Sequence, residues 1–237
     1  MLEVARGLAR LRNAFAIRIA YAALALALER LISAWLVWDL SAMTPESLAQ
    51  LIAFAGLATI ISFLIVVLAA ASWILRVLAW GNLCKAKLKT FYCVTRMIVL
   101  AAPLIGLLVY IGGTADAFLR TTMSGGLIEP ATRTLPEALF HYILTGVLIM
   151  ATADFFEAVA TLDLGLIYKV SILKVASILY LVTTGVGIVA LATSSAGLWS
   201  SLLFPIVFAL LTIAYGVAAN TVRRQLLQPS PGPAQGG

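Results

Sequence analysis

Five ionisable side chains fall within or at the edge of long apolar stretches of this chain: Glu29 and Arg30, Asp154 and Glu157, and Lys174. A charge in the middle of a lipid-spanning helix costs ~2.5–3.5 kcal/mol on insertion scales, so such groups turn toward protein or water and find partners. A carboxylate in that setting can exchange a proton or bind a cation, its affinity set by a nearby arginine and by access to water. The same charges can instead be a buried latch between helices, with no substrate involved. Depth suggests that Arg30, whose side chain points back along its helix, meets Asp154, ~24 Å down a helix descending from the outer side. Glu157, one turn further on nearly the same face, is expected to reach Lys174 and to be the acid nearer cytoplasmic water.

Other candidates concern the backbone. Pro103 with Gly106, Gly185 with Gly187, and Pro205 are helix-break candidates, and Gly- or Pro-broken spans at corresponding places in two halves of a chain point to transporter sites. The string Thr183-Thr184-Gly185-Val186-Gly187 has the Thr and Gly content of a carbonyl-lined ion filter, but lacks its tyrosine and the following acid. His141 is the only histidine, and no HExxH, GxxxxGK[ST] or GxSxG pattern occurs. Asp154, Glu157 and Asp163 are too loosely spaced to make a convincing cation site. The sequence therefore predicts no metal, no cofactor and no enzymatic activity. Cys84 and Cys93 match no zinc or redox motif and are expected to be reduced, inert thiols.

The elements that hold these residues are apolar helices. The chain has 237 residues, of which 62% are apolar and 11% charged, with a mean hydropathy of +1.06; soluble domains carry far more charge, spread over every helix face. At ~20 residues per crossing, spans fall at about 17–38, 48–75, 97–113, 138–160, 171–193 and 199–219. The prediction is an all-α polytopic transmembrane bundle of six spans. Residues 1–16 are expected to form a basic cytoplasmic segment, with 1–13 an amphipathic helix on the inner leaflet, and 222–237 a disordered cytoplasmic tail. Apolarity that resumes after Leu31 argues against a cleaved signal peptide.

Thirteen of the sixteen Lys and Arg residues lie on the side of the N-terminus, Arg120 and Arg133 lie opposite, and Arg30 lies within the first span. The positive-inside rule then places both termini in the cytoplasm and the chain in the cell membrane. The net charge of +6 belongs to those loops and does not indicate nucleic acid. In the first span Ala16, Ala20, Ala23, Ala27, Arg30 and Ala34 form a small-residue seam that a neighbouring helix can approach closely. Three spans on each side of the loop at 114–137 allow a three-plus-three inverted repeat. The functional expectation is a small transporter or channel-like permease, with the acidic and basic cluster coupling a proton or cation. The alternative is a non-transporting scaffold or assembly subunit whose complex partners dock on the basic loop 76–96. Lipid is the expected surrounding, and a homo-oligomer is compatible with it.

Overall fold

A computed structural model of the chain describes residues 1–35, 45–123, 128–193 and 198–227. It consists of six helices: α1 (Leu2–Trp35), α2 (Pro45–Lys85), α3 (Thr90–Met123), α4 (Ile128–Ile167), α5 (Ser171–Ala192) and α6 (Leu198–Leu227). Each packs against its neighbours in sequence, and α6 packs back on α1, closing a ring. Five helices, α2 to α6, are long and apolar enough to cross a membrane; α1, which carries Arg10, Arg12, Arg18, Glu29 and Arg30, is not among them. The protein is a multi-pass membrane helix bundle.

Burial follows seams with helical spacing, and every seam lies at one end of the ring. In α1 the buried positions run Val4, Leu8, Leu11, Phe15, Arg18 and Ala22; in α2, Ser72, Arg76, Ala79 and Leu83; in α4, Ala153, Glu157, Ala160 and Leu164. Steps of three and four put such residues on one helix face. The seams of α5 and α6, from Leu173 to Thr184 and from Val207 to Val222, complete the core. At the other end, no residue from Ala49 to Ala71 is buried, and among the described residues the only buried positions in the outer halves of α3 and α4 are Gly106, Gly113 and Gly146.

This gradient has a solvent explanation. The 41 residues of α2 measure ~61 Å at 1.5 Å each, about twice a ~30 Å hydrocarbon core. Ile52, Ile60, Phe63 and Val66 lose nothing by facing lipid, so the loosely packed end needs no helix partner to cover them. Helices α1 to α3 run opposite to α4 to α6, as an inverted repeat requires. However, α1 buries its N-terminal half and α4 its C-terminal half, so burial is organised by membrane side.

Several sequence expectations change. Residues 2–16 continue α1 and bury Val4, Leu8, Leu11 and Phe15 in the core instead of lying on a leaflet as a separate segment. Ala16, Ala20, Ala23, Ala27 and Arg30 are exposed, so the alanine seam faces away from the bundle; the face with bulkier residues is the one buried. The stretch 114–137 is mostly helix, because α3 continues to Met123 and α4 starts at Ile128. Neither Pro103 nor Pro205 interrupts its helix. The tail from residue 228, and the side chain of Ala34, fall outside what is described.

Candidate functional site

The charges that meet inside the bundle are Arg18 of α1, Arg76 of α2, and Asp154 and Glu157 of α4. Arg18 and Arg76 sit on the buried seams of their helices, one turn from Phe15 and Ala79, and these seams bring them to α4. The Arg18 guanidinium donates to both Asp154 oxygens at 3.1 and 3.3 Å, and to the Tyr180 and Tyr21 hydroxyls at 2.5 and 2.9 Å. Arg76 donates to Asp154 Oδ1 at 2.7 Å and lies 2.5 Å from Glu157 Oε2. Trp80 Nε1–H donates to Glu157 Oε1 at 2.9 Å, and Arg18 stands 3.9 Å from Glu157 Oε2. Two cations and two anions thus compensate one another, tying α1, α2, α4 and α5 together.

The surroundings are aromatic. The Arg18 guanidinium carbon lies 4.6 Å from the Phe208 ring centre, 5.3 Å from Phe15 and 5.7 Å from Tyr180, a cage that favours a desolvated cation. Tyr215 and Thr161 share a 2.5 Å hydrogen bond one turn below Glu157. Exposure differs sharply between the acids. The Glu157 side chain is 0% exposed, whereas that of Asp154 is 21% exposed.

The expected pairing of Asp154 with Arg30 is replaced by Arg18 and Arg76. Arg30 is exposed and its side chain has no partner among the described residues. On depth, Arg30 lies ~13 Å from the outer end of the first span and so ~11 Å short of Asp154 at ~24 Å, whereas Arg18, about twelve residues back at ~31 Å, lies ~7 Å from it. Arg18 and Arg76 flank the apolar spans and so count, by sequence, among the cytoplasmic basic residues. Their places on the apolar seams were the signal that could have revealed them. Glu157 meets Arg76 and Trp80, not Lys174, which is half-buried over Gly165 instead. Glu29 is exposed on α1.

The remaining candidates are structural. Asp163 accepts from Lys89 at 2.6 Å and from the Tyr92 hydroxyl at 2.7 Å, joining the start of α3 to the end of α4. No group of His, Cys, Asp or Glu among the described residues could hold a metal. A Cβ on Gly106 would stand 2.6 Å from the Gly146 carbonyl, and one on Gly113 2.2 Å from the Tyr142 ring, so these glycines permit close approach of α3 and α4. Gly187 rests against Phe204, while Gly185 faces open space.

Cys84 and Cys93 form a disulfide, correcting the expectation of free thiols. The tight turn between α2 and α3 sets their Cα atoms 4.7 Å apart, within the range a disulfide spans. That turn reverses through Lys87 at φ 52°, and the α4–α5 turn through Lys169 at φ 55°. Thus both turns at the tightly packed end carry an exposed lysine in the left-handed conformation. No protein family model, curated protein or solved structure matches this chain.

Proposed function

We propose that this protein is a small permease of the cell membrane, with both termini cytoplasmic, in which Asp154 exchanges a proton that controls the link between the α1–α2 hairpin and α4. The observation that carries this reading is the contrast in exposure: of the two acids held by Arg18 and Arg76, only Asp154 keeps contact with the surroundings. This reverses the expectation that Glu157 is the exchanging acid. A metal ion is disfavoured because two guanidinium groups within 3.3 Å of the carboxylate occupy the places its other ligands would need, whereas a proton needs no coordination shell.

Protonation of Asp154 removes the charge that Arg18 and Arg76 share. Arg76 retains Glu157, and Arg18 retains Tyr180 and Tyr21, so neither cation is stranded. What weakens is the bridge from α1 and α2 to α4, giving a two-state element whose equilibrium a proton can bias. Reconstituted into liposomes under a pH gradient, the wild type should show proton-linked flux, and a folded Asp154→Asn variant should lose it. Flux at the wild-type rate in Asp154→Asn would exclude this role.

The second reading, a scaffold with a static latch, is favoured by the full mutual compensation of the four charges. Its partners would dock on the basic turn carrying Lys85, Lys87 and Lys89. Absence of flux from the wild type across a broad panel of ions and solutes would decide for it.

A further inference from the structure

A groove of about 310 Å³ runs between α1 and α6, from Arg18 and Tyr21 at one end to Glu29 at the other. Its walls are Ala22, Ala25, Leu26, Phe204 and Phe208, apolar throughout. Small residues on α1 leave the space, and two phenyl rings on α6 form the facing wall. The polar end is built of partly or fully buried groups: Arg18 is 7% exposed, and Tyr21, half-buried, accepts from its Nε–H at 2.9 Å. That bond uses a lone pair of the Tyr21 oxygen; its own O–H proton has no acceptor among the described residues.

Length and depth identify what fits. The eleven residues from Arg18 to Glu29 span ~16 Å, about half of a ~30 Å hydrocarbon core and so the depth of one lipid leaflet. With the first span at 17–38 and the termini cytoplasmic, as proposed above, Arg18 falls level with the headgroups of the inner leaflet. We infer that this groove binds a single acyl chain whose anionic head, a carboxylate or a phosphate, accepts the Tyr21 hydroxyl proton beside the Arg18 guanidinium. The site is distinct from proton exchange at Asp154 and holds whether or not the protein transports.

The charge argument is local. Asp154 and Glu157, on α4, do not line the groove, so a head entering between α1 and α6 meets the Tyr21 hydroxyl beside the guanidinium and not these acids. A neutral head gains only the hydroxyl. A charged acceptor makes a hydrogen bond roughly twice as strong as a neutral one, so the groove should discriminate by charge at equal chain length.

The test uses two photoactivatable probes, a fatty acid and a lysophosphatidate of equal chain length, on the full chain in nanodiscs, with labelled residues mapped by mass spectrometry. Saturable labelling should concentrate on residues 21–29 and 204–208. Unlabelled anion should displace it, and the alcohol of the same chain should compete at least about tenfold less well, as a charge-assisted contact requires. Whichever probe labels more strongly names the head. Tyr21→Phe should weaken labelling by about fivefold, the worth of one hydrogen bond. Ala25→Trp fills the groove from an exposed position that the cluster does not touch, so it should abolish labelling there in a protein that still folds. Equal competition by the alcohol, or labelling of the exposed face of α2 from Ile52 to Val67 as strong as that of the groove, would overturn the inference.

Discussion

Arg76→Leu is the sharpest perturbation of the cluster. It removes the closest partner of Glu157, an acid that is 0% exposed, leaving it Trp80 at 2.9 Å and the Arg18 guanidinium at 3.9 Å. Asp154 keeps both contacts from Arg18 at 3.1 and 3.3 Å and lies partly in the open, so most of the loss falls on Glu157. Stranding a buried partner costs about 3–5 kcal/mol, whereas replacing a buried ion pair by apolar groups of similar volume is often neutral. Arg76→Leu alone should therefore destabilise by about 3 kcal/mol or more, and Glu157→Leu, which leaves Arg76 a partner in Asp154, by less. The double variant should be closer to wild type than the two single losses together imply, by about 2 kcal/mol of coupling. Reversible unfolding in mixed micelles, followed by tryptophan fluorescence from Trp73 and Trp80, measures all four corners of the cycle. Arg30→Leu is the control: exposed and unpaired, it should move stability by no more than about 0.5 kcal/mol. A loss below about 1 kcal/mol for Arg76→Leu, or strict additivity in the cycle, would refute the reasoning that makes this cluster the central tie of the bundle.

Glycines provide a paired comparison: Gly106→Ala drives a methyl group against the Gly146 carbonyl and should part α3 from α4, with a clear drop in thermal stability, whereas Gly185→Ala enters open space and should be neutral or stabilising by up to about 1 kcal/mol, the difference in helix propensity. The cysteines report both pairing and sidedness. Without reductant a maleimide should label neither Cys84 nor Cys93, and after reduction both. In a Cys84→Ser, Cys93→Ser background, single cysteines at Lys87 and Arg223 should label only from the cytoplasmic side, and labelling of either from outside would invert the orientation.

Local chemistry fixed the class of this protein. Runs of ~20 apolar residues leave a backbone that lipid can accept only as helix, because every N–H and C=O must be satisfied within the segment. The six helices and their order were therefore legible before any coordinates, but the basic loop expected at 76–96 shrinks to a short turn, because α2 runs to Lys85 and α3 starts at Thr90. Equally legible was the need of Asp154 and Glu157 for partners, since acids inside apolar runs do not stay unpaired. The identity of those partners was not legible. Arg18 and Arg76 flank the spans, where positive charge is ordinary, and only their register with the apolar seams sets them apart from Arg6 or Lys85. Only the crossing of α1, α2 and α4 at one depth makes them the ligands of Asp154.

Tertiary packing likewise reversed the faces of α1. Its alanine steps and its larger apolar steps both repeat at three and four residues, so periodicity allowed either face inward. The face carrying Leu8, Leu11 and Phe15 won because the N-terminal half of α1 packs between α2 and α6, where larger side chains make more contacts. Spacing could not pair Cys84 with Cys93 either. A nine-residue separation has no fixed meaning in a chain, and it becomes a contact only when two helices turn back on each other within it. Sequence thus determined which segments meet lipid, because that depends on each segment alone. Which charges meet one another, which acid stays accessible and where a groove remains depend on several helices at once, and packing decided them.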